Sequence, residues 1–510
     1  MGSTNKEFDL LVIGGGINGA GIAADAAGRG LRVALCEKQD LAGATSSASS
    51  KLIHGGLRYL EHYDFGLVRK ALAEREVLLR NAPHIVWPLR FVLPHSPDLR
   101  PRWMIRAGLF LYDHLASRRV LGGSGALRLD ALGDSSLFNS QFRHGFTYWD
   151  CWVDDSRLVV LNAMAAARRG ATILTRTRVE ELRPADGRWR ASLIDEHDST
   201  RWDITARFVV NAAGPWAADV LSGIGADTSS GVQKGPRLRL VKGSHIVVPR
   251  VHELSDALIL QNDDGRIVFV LPYEGQFSLI GTTDVPFDGD PGAVLASEDE
   301  IDYLLKAVGC YLRKPPKRED VVHAFSGVRP LYEEDAGKSA SAASRDYLIH
   351  TSHFDGATPV ISVLGGKITT YRQLAQSVMQ ELERYCPGLA GAWTADVPLP
   401  GGEMPGADFD AFVEQLAGSR PALPREFLAA LARRHGSLCD EVLGSCREVA
   451  QLGRHFGAGL YEQEVRYFLR AEWARTAQDV LWRRTKFGLH LDPQQRQAVA
   501  DFIDELGGRA

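Results

Sequence analysis

A glycine-rich turn between an apolar strand and a helix of small residues constrains this chain more than any other feature. The stretch IGGGINGAGIAADAAGRG, residues 13–30, supplies the pattern G-x-G-x-x-G at Gly14, Gly16 and Gly19. The first glycine permits a tight turn, the second lets the backbone approach a pyrophosphate, and the third lets the helix lie close to the sheet. The helix start then faces the anion with its N–H groups and positive dipole end. The stretch therefore predicts a nucleotide-pyrophosphate site.

A second strand narrows the choice of nucleotide. It is predicted over Leu31 to Cys36 and is followed at once by Glu37. An acidic residue about 20 positions after the glycines bonds the ribose hydroxyls and disfavours a 2′-phosphate. NADP is thereby disfavoured, whereas NAD and the ADP half of FAD both stay open at this point.

Length and composition indicate a globular protein of about three domains. The formal net charge of −4, with no basic run, argues against a nucleic-acid partner. Six scattered cysteines without C-x-x-C fit reduced thiols, and we expect no metal site. The N-terminus lacks a secretion signal, and no run of 18 apolar residues predicts a membrane-spanning helix.

Further segments outline the domain organisation. The polar segment ATSSASSKLIHGGLRYLE after Gly43 is predicted to be a ligand-facing loop rather than a serine-rich linker. The run ARFVVNAAG is typical of a buried strand that rejoins the first sheet, with Gly214 close to a ligand. Residues 266–273 and 277–284 predict antiparallel strands of a substrate platform.

A second strand, glycine turn and helix follow near the end of this region. The strand is predicted over 359–364, the turn at Gly365 and Gly366, and the helix from Thr370 onward. The stretch VPLPGGEMPG, residues 397–406, marks a domain boundary. Beyond it, helical spacing predicts an all-α region without strands.

Five stretches in order resemble the FAD-dependent glycerol-3-phosphate dehydrogenases, within the wider family of amino-acid-oxidase-like flavoproteins. They are residues 13–30, KLIHGGLRY at 51–59, SGVRP at 326–330, RDY at 345–347 and GGKITTYR at 365–372. The resemblance runs over nearly the whole chain. It implies FAD rather than NAD. It also implies oxidation of glycerol 3-phosphate to dihydroxyacetone phosphate by hydride transfer to the flavin. The flavin carries this chemistry, while the protein binds, orients and polarises.

The resemblance implies an α/β fold: a Rossmann-like FAD-binding domain, an inserted antiparallel β-sheet substrate domain and an all-α C-terminal domain. The expected boundaries are 1–80, 150–235 and 355–396 for the FAD-binding domain, 81–149 and 236–354 for the substrate domain, 397–406 for a linker and 407–510 for the helical cap. FAD contacts are expected from Gly14, Gly16, Gly19, Glu37, Thr45, Ser46, Ser47, Gly214, Lys367, Ile368 and Thr369.

Substrate contacts are expected by the same resemblance. A phosphate suits planar arginine, which predicts Arg329 and Arg345 as ligands with Arg58 nearby, although Arg329 pairing with a carboxylate is the alternative. Tyr59 and Thr283 are predicted contacts of the substrate hydroxyls.

The catalytic residues are expected to be His54, Arg329 and Lys367. His54 is the predicted base, with a purely structural hold on its loop as the alternative. Lys367 is placed to reach the flavin edge or the substrate oxygen. Backbone N–H groups of Ile368 and Thr369 at the helix start are expected to stabilise the charge of the reduced flavin.

Two further segments carry predictions. Residues 99–119 combine Trp, Phe, Leu and Ile with five arginines, which resembles an interfacial anchor on anionic lipid; a buried helix with a basic edge is the alternative. The run EWARTAQDVLWRRT is predicted to place a structural polar network on one helix at the domain interface, through Glu472, Thr476, Asp479, Arg483 and Arg484.

The anchor favours a ubiquinone-type acceptor and peripheral binding at the cytoplasmic face of the membrane; a homodimer is kept as a further option. The competing functions are an oxygen-using oxidase of glycerol 3-phosphate or of amino acids, and a non-catalytic flavin-binding module.

Overall fold

The computed structural model describes residues 6–96, 100–131, 137–224, 238–332, 346–354 and 356–507. In these ranges the chain forms two large β-sheets with helices packed against them, followed by a mainly helical C-terminal region.

The first sheet contains the strand that precedes each of the two glycine turns. Its members are β1 (Lys6–Ile13), β2 (Val33–Cys36), β7 (Thr172–Leu174), β8 (Thr177–Ala185), β9 (Arg188–Asp195), β10 (Arg201–Asn211), β17 (Tyr347–Ser352) and β18 (Val360–Gly365). The strand order is β17-β18-β10-β1-β2-β7, with β9 between β10 and β8. The strands β18, β10, β1, β2 and β7 are parallel. The run ARFVVNAAG therefore does rejoin the first sheet, as predicted.

The register of this sheet gathers the carboxyl ends of its central strands. Ile13 pairs with Cys36 on one side and with Asn211 on the other, and Asn211 pairs with Ser362. Ligands bind at this edge of parallel sheets, where the loops leave the strands. The segments after these four residues are consequently brought together although they are far apart in sequence.

The second sheet is built mainly of antiparallel strands. Its members are β3 (Leu52–Ile53), β4 (Val86–His95), β5 (Gly125–Arg128), β6 (His144–Val153), β11 (Leu238–Pro249), β12 (Ala257–Gln261), β13 (Ile267–Tyr273), β14 (Phe277–Gly281), β15 (Val285–Pro286) and β16 (His323–Tyr332). The predicted antiparallel platform is confirmed, except that β4 and β12 are parallel neighbours.

Helices cover both sheets and form the C-terminal region. They are α1 (Ile17–Gly28), α2 (Phe65–Asn81), α3 (Arg102–His114), α4 (Asp155–Ala167), α5 (Ala217–Ile224), α6 (Glu298–Gly309), α7 (Tyr371–Glu383), α8 (Phe409–Ser419), α9 (Arg425–His435), α10 (Cys439–Leu443), α11 (Glu462–Ala471) and α12 (Pro493–Gly507). The small side chains of α1 let it pack closely with α4 and α7 in one apolar core. Within the described ranges, no helix is both long and apolar enough to span a bilayer.

Three structural expectations need correction. The strand β17 lies inside the range expected for the substrate domain, yet it pairs with β18 and so extends the first sheet. The loop after Gly43 contributes β3 to the second sheet, because Leu52 and Ile53 pair with Trp152 and Cys151. The C-terminal region is not free of strands, since β19 (His455–Gly457) and β20 (Leu460–Tyr461) form a small hairpin.

The run EWARTAQDVLWRRT is not one continuous helix. The helix α11 ends at Ala471, and Trp473 adopts a positive φ of 57°. The carboxylate of Asp479 then accepts hydrogen bonds from the N–H groups of Arg475 and Thr476, at 2.8 and 3.0 Å, and a separate wide-turn helix covers Asp479–Arg484. This carboxylate caps a new turn, which sequence spacing alone does not reveal.

Candidate active site

The first glycine turn has the geometry that a pyrophosphate requires. Gly14 has φ of +112°, and a Cβ there would lie 2.5 Å from the carbonyl oxygen of Ala212. At Gly19 a Cβ would lie 1.9 Å from the carbonyl oxygen of Gly14. Gly16 precedes the helix without a side-chain cap. A side chain carried by Gly14 or Gly19 would therefore clash with the backbone, as expected for this turn.

Glu37 stands at the end of β2, beside this turn. Its carboxylate accepts hydrogen bonds from the N–H groups of Gly15 and Gln39, at 2.6 and 2.7 Å. Burial is the largest influence on Glu37 and raises the pKa of its carboxyl group. Glu37 also lines the cavity described below, so its predicted contact with ribose stays a prediction with a suitable position.

The second glycine turn faces the first one across the sheet edge. Gly365 and Gly366 have φ values of 76° and 97°. The side-chain amide of Asn18 in α1 donates to the carbonyl oxygen of Gly365 at 3.2 Å, which ties the two turns together. The Oδ1 atom of Asn18 is buried and has no hydrogen-bond partner within the described residues. A buried acceptor without a donor is costly, which is consistent with a ligand group at this point.

The serine-rich loop closes over the first turn. Thr45 donates to the carbonyl oxygen of Val328 at 2.7 Å, and the hydroxyl of Ser46 accepts from the N–H of Ile17 at 3.0 Å. Both residues line the cavity, whereas Ser47 does not and instead donates to the carbonyl oxygen of Ala44 at 3.1 Å. The loop is thus fixed rather than slack, and Ser47 supports its shape.

A single cavity of about 1710 Å³ connects the two turns with the second sheet. The predicted site residues that line it are Gly14, Gly16, Glu37, His54, Tyr59, Thr45, Ser46, Gly214, Arg329, Lys367 and Ile368. The volume exceeds that of ordinary ligand pockets, which span roughly 300–1,000 Å³. An elongated dinucleotide such as FAD therefore fits the cavity, with its pyrophosphate expected at Gly14 and Gly16.

Arg329 projects from β16 at the second-sheet end of the cavity. Its Nη1 lies 3.4 Å from Oδ1 of Asp284, and its Nη2 donates to Oγ1 of Thr282 at 3.1 Å. The guanidinium is only partly buried. The carboxylate pairing weighed from the sequence is therefore present, but it is long, and Arg329 still faces the cavity. Arg345 lies outside the described residues, as does the side chain of Arg58.

Lys367, His54 and Tyr59 meet at the same end. The ammonium group of Lys367 donates to the carbonyl oxygen of His54 at 2.6 Å and lies 5.3 Å from the ring centre of Tyr59. Thr369 is buried and accepts from the N–H of His54 at 3.2 Å. The backbone of His54 is thus held from two sides, while its imidazole stands edge-on to Phe269 and lines the cavity.

The structure corrects the expectation for Thr283. Its side chain is buried, donates to Glu300 at 2.7 Å and accepts from the N–H of Ser244 at 2.8 Å. Thr283 does not line the cavity, but its neighbour Thr282 does. Beyond the strand end at Gly281, the hydroxyl of Thr283 therefore points inward, and Thr282 rather than Thr283 faces the cavity.

His245 is the residue of this site that sequence reasoning missed. It lies on β11, lines the cavity and is 1% exposed. Its Nε2 is 2.9 Å from the hydroxyl of Ser50, and its Nδ1 is buried without a partner in the described part of the chain. Burial, with the charges of Arg329 and Lys51, holds the pKa of His245 well below its usual range. A lone histidine in the apolar run of β11 was the available signal.

A buried ionic network joins the C-terminal region to the first sheet, as predicted. Arg157 of α4 donates to Glu472 at 2.9 Å, and Arg176 donates to Asp479 at 2.6 Å. Further members are Asp40, Thr476, Arg483 and Arg484. These residues do not line the cavity, so their structural role is confirmed.

Comparison with known proteins gives consistent matches over nearly the whole chain. The profile described as FAD dependent oxidoreductase matches residues 9–372. The profile described as the C-terminal domain of alpha-glycerophosphate oxidase matches residues 392–509.

Two curated relatives cover almost all of the chain. The D-erythritol 1-phosphate dehydrogenase of Brucella abortus is 50% identical over 496 residues, which is 97% of this chain and 97% of that protein. The aerobic glycerol-3-phosphate dehydrogenase of Escherichia coli is 50% identical over 497 residues, which is 98% of this chain and 97% of that protein.

A solved structure shares the architecture. The X-ray structure of the glycerol-3-phosphate dehydrogenase from Bacillus halodurans, complexed with FAD, superposes with a TM-score of 0.75 at 28% identity, covering 99% of this chain and 95% of that chain. The fold class expected from the sequence is thus confirmed.

Proposed function

Because the chain belongs to the family of FAD-dependent glycerol-3-phosphate dehydrogenases, we propose that it oxidises the secondary alcohol of sn-glycerol 3-phosphate to the ketone of dihydroxyacetone phosphate. One observation carries the assignment: Arg329, His54 and Lys367 line the same cavity as the first glycine turn, and Lys367 directly follows the second. This grouping supports a phosphate ligand, a base and a cation beside the expected cofactor site.

The phosphate group is assigned to the corner formed by Arg329, Thr282 and His245. Arginine presents a planar fork of donors that matches phosphate oxygens. Asp284, 3.4 Å from Nη1 of Arg329, orients this fork. The Nε2 of His245 meets the Ser50 hydroxyl, while its Nδ1 stays buried behind this corner. Arg329 therefore supplies the charged donors, and the Thr282 hydroxyl lies beside them.

We assign His54 as the base that removes the proton of the reacting hydroxyl. Bound FAD supplies the acceptor for the hydride that leaves the same carbon. A general base works best when its pKa lies near the working pH. The strongly lowered pKa of His245 makes that imidazole a weak base, which favours His54. Lys367 donates a hydrogen bond to the carbonyl oxygen of His54, and we assign it to polarise the developing ketone oxygen.

The second candidate substrate is D-erythritol 1-phosphate, which appears in the name of the Brucella abortus relative. That relative and the Escherichia coli relative are each 50% identical to this chain. It is also a phosphorylated polyol, but it is one carbon longer. Both substrates would use the Arg329 corner for phosphate. They differ in the space needed beyond the reacting carbon.

We assign the electrons to a ubiquinone-type acceptor at the membrane. Support comes from α3, which exposes Trp103 and Phe110 by 70% and 58% of their area, together with Met104 and Leu111. Arg102 and Arg106 lie on the same helix. An exposed apolar stripe with cationic neighbours is typical of interfacial binding to anionic lipid. We therefore also propose peripheral binding at the cytoplasmic face of the membrane. The homodimer is a separate proposal, which sedimentation analysis tests.

The deciding experiment is anaerobic reduction of the FAD-loaded protein, measured as the loss of the oxidised-flavin absorbance. Glycerol 3-phosphate should bleach the flavin rapidly, D-erythritol 1-phosphate more slowly, and glycine or proline not at all. Faster bleaching by D-erythritol 1-phosphate would transfer the assignment to that substrate. Bleaching by an amino acid alone, or by none of these compounds, would reject the proposed reaction.

The acceptor needs a separate measurement on the reduced protein. Reoxidation by a short-chain ubiquinone should be much faster than by air-saturated buffer. Rapid peroxide formation combined with no reaction with quinone would assign the protein to the oxygen-using oxidases instead.

A further inference from the structure

A hydrogen bond links the inner face of α3 to the active-site segment. The N–H of Gly55 donates to the hydroxyl of Tyr112 at 2.9 Å and, at the longer distance of 3.4 Å, to Oδ1 of Asp150. A Cβ at Gly55 would lie 2.6 Å from that hydroxyl oxygen, so the backbone approaches the ring without room for a side chain. Gly55 directly follows His54, the proposed base. The active-site segment is therefore hydrogen-bonded to α3 at the residue next to the proposed base.

The hydroxyl of Tyr112 is itself fixed by buried charges. It donates to the carboxylate of Asp150, with oxygen distances of 2.7 and 2.8 Å. Asp150 in turn accepts from Nη1 of Arg75 in α2 at 2.7 Å. All three side chains are almost completely buried. Because the proton of Tyr112 goes to Asp150, a lone pair of its oxygen is left for Gly55.

The effect of Gly55 reaches Lys367 through one peptide unit. The carbonyl of His54, which accepts from the ammonium of Lys367 at 2.6 Å, belongs to the same peptide plane as the N–H of Gly55. Any tilt of that plane moves both groups together. Through Tyr112, α3 consequently holds the His54 carbonyl to which Lys367 donates.

The opposite face of α3 is exposed. Leu109 and Tyr112 are buried in the second-sheet core, whereas Trp103 and Phe110 lie at the surface. A helix of 13 residues, packed on one side and exposed on the other, joins the two faces as one rigid element. A contact made on the outer face is therefore connected to Tyr112 through a single element.

We propose that Tyr112 is a positioning residue that couples docking of α3 on an anionic lipid surface to turnover, through the Gly55 N–H, the His54 carbonyl and Lys367. This inference rests on the proposed function, in particular on the lipid-facing role of α3. Asp150 and Arg75 hold Tyr112 in the orientation that this coupling needs.

The test compares Tyr112→Phe with Tyr148→Phe in the FAD-loaded protein. Tyr148 is buried, its ring centre is 5.9 Å from that of Tyr112, and it makes no hydrogen bond to Gly55 or Asp150 among the described residues. The two variants delete the same atom from neighbouring core positions. Activity is measured with glycerol 3-phosphate and a soluble dye acceptor, with and without vesicles of phosphatidylglycerol and phosphatidylcholine.

Tyr112→Phe should lower kcat about tenfold without vesicles, because misplaced catalytic groups reduce rate steeply. KM and inhibition by inorganic phosphate should change less than about twofold, since the Arg329 corner is untouched. Vesicles should raise kcat of the wild type but not of Tyr112→Phe, although both sediment with them. Tyr148→Phe should match the wild type in every respect.

Several results would overturn the inference. Equal kcat in Tyr112→Phe and Tyr148→Phe would remove the positioning role. A loss that follows melting temperature or FAD content in both variants would make Tyr112 an ordinary core residue. Wild-type protein that sediments with vesicles but gains no activity would reject the coupling alone, whereas failure to sediment would reject the lipid-facing role of α3 as well.

Discussion

Asp40 and Arg484 form a buried ion pair between the first-sheet region and the C-terminal region, with Nη2 of Arg484 2.8 Å from Oδ1 of Asp40. Arg483 adds a contact of 2.5 Å from its Nε to the same carboxylate. Asp40 lies in the loop whose Ala42 N–H donates to the carbonyl oxygen of Gly15 at 3.1 Å. The C-terminal region therefore braces the loop that holds the pyrophosphate turn.

The variant Arg484→Ala should weaken both the fold and FAD retention. Removing one partner of a buried pair leaves an uncompensated charge and costs about 3–5 kcal/mol. Chemical denaturation gives the free energy of unfolding, and flavin released on gel filtration gives retention. The control Arg466→Ala breaks an exposed pair with Glu462, where about 1 kcal/mol or less is expected. Equal effects of the two variants would contradict the bracing role of Asp40 and Arg484.

The variant Arg329→Ala should raise KM for glycerol 3-phosphate about 10- to 100-fold, because hydrogen bonds to charged groups contribute about 1.5–3 kcal/mol. FAD content should be retained, since Arg329 lies on β16 of the second sheet, whereas Gly14 and Glu37 follow strands of the first sheet. Steady-state kinetics and the flavin-to-protein absorbance ratio give the two quantities. Unchanged kinetics would remove Arg329 from the site.

Two further variants check the geometry of this contact. Arg329→Lys keeps the charge but loses the planar fork, so it should fall between wild type and alanine. Arg266→Ala removes an arginine in the turn before β13 that pairs with Asp264 and does not line the cavity. It should leave KM unchanged.

The parts of the site that follow from local spacing could be predicted from the sequence. Gly14 and Glu37 each stand directly after a parallel strand, and the register of the sheet places such positions at one edge. The segment around Gly365 repeats the same arrangement. In each case the strand, turn and helix are neighbours in sequence, so their chemistry is visible there.

What depends on register between distant strands could not be predicted. Thr282 and Thr283 are adjacent and chemically alike, and only the pairing of β14 with β11 decides which of them faces the cavity. His245 reads as an ordinary buried residue until the pairing of β11 with β16 brings it to the same cavity as Arg329. The contact of Tyr112 with Gly55 spans 57 positions and needs the packing of α3 against the second sheet.

The buried carboxylate of Glu464 should make stability depend on pH. Burial raises the pKa of Glu464, but Arg434 and the hydrogen bond from His435 outweigh it and lower that pKa to about 2. Since the ordinary value is 4.5, the stabilisation is complete above about pH 4.5 and is lost as the pH falls towards 2. The unfolding free energy of the wild type should therefore fall across this window.

The variant Glu464→Gln isolates this contribution. It should be less stable than wild type by about 3 kcal/mol at neutral pH, and the difference should shrink between about pH 4.5 and pH 2. Denaturant titrations at a series of pH values measure it. The control Glu414→Gln removes an exposed partner of Arg425 and should track the wild type throughout. A constant difference at all pH values would exclude Glu464 as the source.

The two imidazoles at the substrate end should differ in their effect on the pH dependence of kcat. Removing a general base costs about 10²–10⁴-fold in rate and abolishes the acid limb that reports its protonation. His54→Gln should therefore lower kcat strongly and flatten that limb. His245→Gln should keep the limb and mainly raise KM, because the lowered pKa of His245 makes it a weak base that supports the proposed phosphate corner. The reverse pattern in the kcat profiles would make His245 the base and leave His54 as a fixed part of the loop.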